Sequence, residues 1–418
     1  MLLTFSCENW MSYRSRATLS MIAGPERQHR DRISRVPKFR MNILPVTAIF
    51  GGNASGKSNL VSALRCVQQF VTHGAQEDSG TCATPFAFDR ITRSQPSSFF
   101  FELLIDEHVY RYECTLGRRA IESERLVRLN SRSEQLLFER SASGAIRSDD
   151  ADMQSFLLQN LRVAHNESLL HASRRVGIGS VLPVSDWFAS RLVVLSTDRA
   201  EAGLATTGKA WNARRRNLDR VIGGLDTGVT GTRTKLRRTN MDANTRAAGV
   251  RESQHRYSTP STSSVDDRVS EFQTLHVASD GRAMGFDLAQ ESDGTRQLLG
   301  VLPHLAAAAE PGCRNTVVID ELDRSLHPVL SRRLIESYLE TCTSTSRSQV
   351  LFTTHDLLLM DQHLLRRDEM WLTERNAAGE TTIFSVGDFP EVRFDKDLRK
   401  SYLLGRLGGV PSIGPVRL

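Results

Sequence analysis

Eight consecutive residues, Gly51-Gly52-Asn53-Ala54-Ser55-Gly56-Lys57-Ser58, follow the spacing G-x-x-x-x-G-K-S. Glycines at these positions let backbone N–H groups curl around a chain of phosphates. Lys57 reaches the β- and γ-phosphates, and Ser58 offers its hydroxyl to Mg²⁺. With Asn59 completing the segment, the expected ligand is ATP with Mg²⁺.

Val317-Val318-Ile319-Asp320-Glu321 is an apolar run that ends on two acids. Alone it is an ordinary strand end. Behind a phosphate loop it assigns Asp320 to Mg²⁺ through water and Glu321 to polarising the water that attacks the γ-phosphate. Gln349 to Asp356 is a β-run ending in Thr353-Thr354-His355-Asp356, which puts His355 downstream of the Asp-Glu pair, where a γ-phosphate-sensing histidine would lie. Glu291-Ser292-Asp293-Gly294-Thr295-Arg296-Gln297 is a polar, Gly-containing turn that opens a helix upstream of the acids. By themselves His355 reads as a strand-end histidine and Ser292 to Gly294 as a helix cap. The order and spacing of all four motifs join them into one site.

Such residues need strands and helices to hold them. Ile43 to Phe50 is an apolar, β-forming run before Gly51-Gly52, and Leu60, Val61, Leu64, Val67 and Val71 recur near helical spacing after it. Strands are expected at 84–88, 99–106 and 109–116, the last two paired across Asp106-Glu107-His108, and β alternation continues through 121–129 and 135–139. Residues 153–194 read as helical, and 217–225 as one helix within a polar stretch. A hairpin around Ser279-Asp280-Gly281 precedes a helix at 295–309, a strand at 316–319, a helix at 328–341, and strands at 349–353 and 369–372. Strands alternating with helices imply an α/β fold with a largely parallel sheet. The division expected is 1–150 for the first half of the core with its β-lobe, 151–270 for a helical and basic insert, and 271–418 for the second half of the core.

The chain has 418 residues, 39% hydrophobic and 24% charged, which excludes collagen-like, mucin-like and wholly disordered classes. Its net charge of +6 is unevenly distributed. Residues 199–258 carry thirteen Lys/Arg against five acids, and residues 1–40 carry eight against three, so the motif-bearing remainder is acidic in sum. The 199–258 segment reads either as a solvated loop or as an electrostatic contact for nucleic acid or an acidic partner, with Arg214-Arg215-Arg216 supplying charge and Trp211 stacking. The six cysteines (Cys7, Cys66, Cys82, Cys114, Cys313, Cys342) show no C-x-x-C spacing and read as thiols of a cytoplasmic protein. No apolar run has membrane-spanning length, and no signal-peptide pattern opens the sequence.

The motifs together resemble the ABC-type ATPases of the RecF, Rad50 and overcoming-lysogenization-defect (OLD) kind. More closely, they resemble the ATP-binding proteins of anti-phage and abortive-infection loci of the RloA, Septu and PARIS types. Phe5 to Tyr13, Pro85 to Phe88, Phe99 to Tyr112, Asp226 to Gly228, Tyr402 to Arg406 and Gly409 to Pro411 extend the likeness over nearly the whole chain. The resemblance implies an ABC-type P-loop ATPase head: a mixed-sheet core, an antiparallel β-lobe and a helical insertion. It gives Lys57 and Ser58 the phosphate and Mg²⁺ roles, Asp320 the Mg²⁺ role, Glu321 the general-base role and His355 the γ-phosphate switch role. Ser292, Asp293 and Gly294 take the signature role, touching nucleotide bound by a second copy, which implies a homodimer or a higher even-numbered assembly. Trp10 departs from the family's usual residues after Asn9, and no glutamine is placed as its Q-loop; Gln95 precedes a strand.

OLD nucleases append a nuclease domain, whereas the stretch that follows His355 here, Asp356 to Leu418, is short and holds no E-G-x-x-D arrangement. The expected function is therefore an ATP-hydrolysing switch whose effector, a nuclease or toxin, is a separate chain. The alternatives are a RecF-like or SMC-like DNA-repair ATPase, and a slow-turnover, ATP-dependent scaffold or sensor.

Overall fold

The computed structural model describes residues 1–74, 80–130, 133–158, 163–196, 211–238, 268–389 and 397–410. Most of the basic 199–258 segment and Pro411 lie outside the described residues. The chain divides into two compact units, Met1–Asp198 with His304–Leu418, and Arg199–Pro303.

In the first unit β1 (Leu2–Glu8) and β2 (Ala17–Ser20) precede the small hairpin β3 (Ser34–Val36) and β4 (Met41–Ile43), then β5 (Val46–Phe50) and helix α1 (Lys57–His73). Next come β6 (Ser97–Ile105), β7 (His108–Leu116), β8 (Ile121–Leu129), β9 (Glu134–Arg140) and β10 (Ile146–Arg147). They form a seven-stranded sheet in the order β10-β9-β8-β7-β6-β1-β2, with every pairing antiparallel. The β6–β7 turn is Asp106-Glu107, both at positive φ, the pattern of a two-residue type I′ hairpin. This is the antiparallel lobe. Residues 84–88, expected as a strand, are irregular instead. Asn9 Oδ1 accepts from the Phe86 N–H, and Met11 N–H donates to the Thr84 carbonyl, so turn residues, not a neighbouring strand, satisfy this backbone.

Helices α2 (Ala151–Leu158), α3 (Leu169–Val176) and α4 (Leu182–Asp186), a π-helical turn at Trp187–Arg191 and β11 (Leu192–Leu195) follow. The stretch 151–191, read from sequence with the insert, packs into the first unit. Phe188 lies 5.0 Å from Phe101 and 5.8 Å from Tyr112, both on lobe strands. The apolar face that the helical spacing creates is thereby buried on the sheet.

The second unit holds α5 (Arg215–Gly223), β12 (Gly231–Arg238), β13 (Arg268–Val277) and β14 (Ala283–Asp287), the strands joined as an antiparallel sheet. Helix α6 (Asp293–Ala308) begins in this unit. Trp211, a stacking surface in one of the two readings of this segment, is fully buried here, its ring edge-on to Phe272 and its Nε1 donating to Asp219. Leu218 and Ile222, one turn apart on α5, are buried as Trp211 is, and that burial outweighs any exposed role. Arg215 is likewise engaged, donating to Asn212 Oδ1 and Thr234 Oγ1.

The chain then adds β15 (Thr316–Ile319), α7 (Pro328–Thr341), β16 (Gln349–Thr354), β17 (Met370–Arg375), β18 (Thr381–Ser385) and α8 (Leu398–Leu403). The core sheet runs β11-β15-β16-β5-β17-β18, with all neighbours parallel except the last pair. All residues of β5, β15 and β16 are buried, as parallel strands covered on both faces require. The α/β expectation holds, with a mixed core sheet and a separate antiparallel lobe. Among the described residues no helix is long and apolar enough to cross a membrane. Cys66 on α1 and Cys82 are joined in a disulfide, correcting the reading of all six cysteines as thiols. Their spacing in sequence carries no hint that the chain returns to α1 at Cys82.

Candidate nucleotide site

Parallel register builds the site. Ile319 pairs with Phe352, and Phe352 with Ala48, so Asp320, Thr353 and Ile49 stand level across β15, β16 and β5. One residue further the chain leaves each strand, at Glu321, after Thr354 and after Phe50. Lys57, Ser58, Asp320, Glu321 and His355 therefore gather at the carboxyl ends of three neighbouring strands, where open α/β sheets bind ligands.

The loop between β5 and α1 has a conformation that needs its glycines. Gly51 has φ 156° and a Cβ there would lie 2.4 Å from Thr373 Oγ1. Gly56 has φ 106° and a Cβ would lie 2.5 Å from Thr381 Oγ1 and 2.9 Å from Ser12 Oγ. A wall of hydroxyls is packed behind the loop. Ser55 Oγ is 2.7 Å from Thr373 Oγ1, Thr381 Oγ1 donates to the Ser55 carbonyl at 3.0 Å, and Tyr13 OH donates to the Gly56 carbonyl at 3.0 Å. Asn59 Nδ2 donates to Ser12 Oγ, and Trp10 Nε1 to the Asn59 carbonyl. Trp10, where the sequence departs from its resemblance, thus ties the segment after β1 to the first turn of α1.

Lys57 Nζ donates to the carbonyls of Gly51 (2.8 Å) and Gly52 (3.0 Å) and lies 3.4 Å from His355 Nδ1. Burial pulls its ammonium down to about 8, against the upward pull of the Asp320, Asp323 and Glu321 carboxylates. The His355 imidazole is also lowered, first by burial and then by the charge on Lys57. The ring is therefore neutral at neutral pH, and its backbone N–H donates to Asp323. The loop carbonyls satisfy Lys57 only in part, so a phosphate arriving there meets a cation already aimed into the loop.

Ser58 Oγ donates to Asp320 Oδ1 at 3.2 Å, and Thr353 Oγ1 donates to the same oxygen at 2.6 Å. Thr353 Oγ1 also accepts the Glu321 N–H at 2.7 Å. Glu321 adopts φ 52°, a left-handed conformation unusual for a glutamate, and this hydroxyl anchors its backbone there. The Glu321 side chain is one-third exposed and 3.7 Å from Arg324. Among the described residues no group of three His, Cys, Asp or Glu side chains could hold a metal alone. A hydroxyl beside one buried carboxylate fits Mg²⁺, which takes few protein ligands and completes its shell with phosphate oxygens and water.

Ser292, Asp293 and Gly294 lie in the second unit, at the first turn of α6. Ser292 Oγ accepts from the Thr295 N–H at 3.1 Å, as an N-cap does, and Asp293 pairs with Arg296. Gln95, considered for the Q-loop, is exposed, and its carbonyl accepts from Asn9 Nδ2. Sequence reasoning missed Ser12, Tyr13, Thr353, Thr373 and Thr381, all hydroxyl residues contacting the site from distant segments. Thr353, two places before His355, had a signal in its position inside the motif.

A buried parallel strand, a glycine loop, a helix bearing Lys-Ser and a neighbouring strand ending in Asp-Glu define a P-loop ATPase head. The family model described as "AAA domain, putative AbiEii toxin, Type IV TA system" matches residues 46–361, and the chain belongs to that family. In structure the chain is similar to the SMC head domain from Thermotoga maritima (13% identity, 92% of this chain and 98% of that one, TM-score 0.39). It is also similar to an SMC head bound to the C-winged helix domain of ScpA (10% identity, 92% and 97%, TM-score 0.45). No curated protein matches the chain in sequence.

Proposed function

We propose that this chain is the ATP-binding and ATP-hydrolysing switch subunit of a bacterial anti-phage or abortive-infection system. Two copies close around ATP and thereby control a separate effector, a nuclease or a toxin. The observation that carries the ATPase reading is the convergence of two groups at the carboxyl ends of neighbouring strands: Ser58 and the Thr353 hydroxyl meet at Asp320, with Glu321 held by the same hydroxyl, and Lys57 stands beside His355. The family description, which names an AbiEii toxin and a toxin–antitoxin system, supports the defence setting.

The residues divide the work. Backbone N–H groups of Gly51 to Gly56 cradle the phosphates, and Lys57 turns from the Gly51 and Gly52 carbonyls toward the β- and γ-phosphates. Ser58 and Asp320 would hold Mg²⁺, which when bound would neutralise charge on the phosphate oxygens. Glu321 orients and polarises the attacking water, while His355 meets the γ-phosphate beside Lys57. Ser292, Asp293 and Gly294 complete the site of a second copy.

ATP turnover by wild type and Glu321→Gln tests the reading. The variant should bind ATP, lose turnover and persist as a dimer in size-exclusion chromatography with light scattering. Unchanged hydrolysis overturns the general-base role. A copurifying nuclease or toxin supports the defence role, whereas turnover stimulated by DNA without such a partner favours the repair-type ATPase.

A further inference from the structure

Within the second unit, the residue just before the Ser292–Gly294 turn is held by an arrangement that the proposed chemistry does not use. The Glu291 side chain is 7% exposed, and its Oε1 lies 2.7 Å from His276 Nε2. The same oxygen accepts from Thr274 Oγ1. Thr274 and His276 are two positions apart on β13 and so point to one face of the three-stranded sheet. For His276 to donate, its Nε2 carries the hydrogen.

A buried carboxylate is costly unless hydrogen-bonded, so this acid is a poor choice for a residue that merely fills space. A second tie fixes the other end of the turn. Gln273, on the opposite face of β13, donates through Nε2 to Asp287 Oδ1 at 2.7 Å and accepts from Arg233 Nε on β12 at 2.9 Å. Asp287 in turn forms a reciprocal capping box with Gln290. Both ends of 287–291 are anchored to β13, and the exposed Ser292 and Asp293 follow directly.

We propose that Glu291 is a positioning residue for the signature turn, and that Thr274 and His276 make β13 the strut that sets where Ser292, Asp293 and Gly294 stand. This rests on the reading that these three residues complete a second copy's ATP site. The Glu291 clamp then governs turnover by the assembled dimer without touching nucleotide binding by one copy.

The test uses the full chain and five variants, Glu291→Ala, Glu291→Gln, Thr274→Val with His276→Leu together, those two changes combined with Glu291→Ala, and Ser292→Ala. For each, kcat and KM for ATP, fluorescent ATP-analogue binding by the monomer, and thermal midpoint are measured. Glu291→Ala should lower kcat about tenfold or more with KM and monomer binding within twofold. Glu291→Gln, which keeps the accepting oxygen, should retain most of kcat. The Thr274/His276 double variant should match Glu291→Ala, and combining them should add nothing further, as coupled residues do. If Ser292→Ala lowers kcat but Glu291→Ala does not, the positioning role is overturned. The same holds if Glu291→Gln is as impaired as Glu291→Ala. If Ser292→Ala leaves kcat intact, the underlying signature reading falls instead.

Discussion

Thr353 Oγ1 donates a 2.6 Å hydrogen bond to Asp320 Oδ1, so the acid facing Ser58 is oriented by the strand lying between it and the phosphate loop. The same hydroxyl accepts the Glu321 N–H. One side chain thus orients the Asp320 carboxylate and holds the Glu321 backbone.

Thr353→Val keeps the shape and removes both bonds. A hydrogen bond to a charged group contributes about 1.5–3 kcal/mol, so kcat should fall by roughly tenfold or more. Thr353→Ser should restore most of it. Steady-state ATPase assays across a Mg²⁺ titration check this, and Thr353→Val should also need more Mg²⁺ for half-maximal rate.

Lys57 gives a pH signature. Its ammonium stands at about 8 in the folded chain against an ordinary 10.5, so the unfolded state holds the proton more tightly. Below about 8 both states are protonated and the burial cost is present in full. Between about 8 and 10.5 the folded state has released its proton, and the stability contribution of this group rises with pH. Binding a triphosphate favours the cation and reverses the shift. Calorimetry of ATP binding at about pH 8.5, in two buffers of different ionisation enthalpy, should report proton uptake. Lys57→Arg, which stays charged, should show none.

Gly56→Ala places a Cβ 2.5 Å from Thr381 Oγ1 and 2.7 Å from Thr381 Cγ2, at φ 106°. The loop must shift, and the ATP-induced rise in thermal midpoint should disappear.

Tyr13→Phe is the milder test of the same wall. It removes one of two donors to the Gly56 carbonyl and leaves the Leu60 N–H at 3.2 Å. One such bond contributes about 0.5–1.5 kcal/mol. Urea denaturation should read that loss, with KM for ATP raised as the loop loosens.

The Cys66–Cys82 disulfide closes a loop of sequence separation 16. Such a loop contributes about 3 kcal/mol by restricting the unfolded chain. Reduction, or Cys82→Ser, should lower the thermal midpoint by several degrees, while reductant should not shift Cys82→Ser further.

The parts of the site legible in sequence are those written as contiguous words. Ile43 to Ser58, Val317 to Glu321 and Gln349 to His355 each join an apolar strand to its functional end, so strand and chemistry are read together. Thr353, Thr373 and Thr381 escape because threonine in a strand reads as a β-former, and Thr373 and Thr381 find their partners at Phe50 and Ser12, near the opposite end of the sequence. Trp211 enters one reading as a stacking surface because arginines stand beside it, whereas the partners that bury it, Asp219 and Phe272, lie further along the chain. β18 lies beyond Leu372, the end of the last strand expected, and its Thr381 is what packs behind Gly56.

The neighbours of β5 in the sheet are β16 and β17, both encoded far downstream of it. During synthesis the phosphate-loop strand, buried on both faces in the folded chain, therefore emerges long before its two partners. Such non-local pairing folds slowly and leaves strand edges open to wrong partners. Thr373 of β17 and Thr381 of β18, which back the loop, are made later still, so a nascent chain carries the phosphate-binding word before the residues that hold it. The loop's support is in this sense a late checkpoint, passed only once most of the chain has been made.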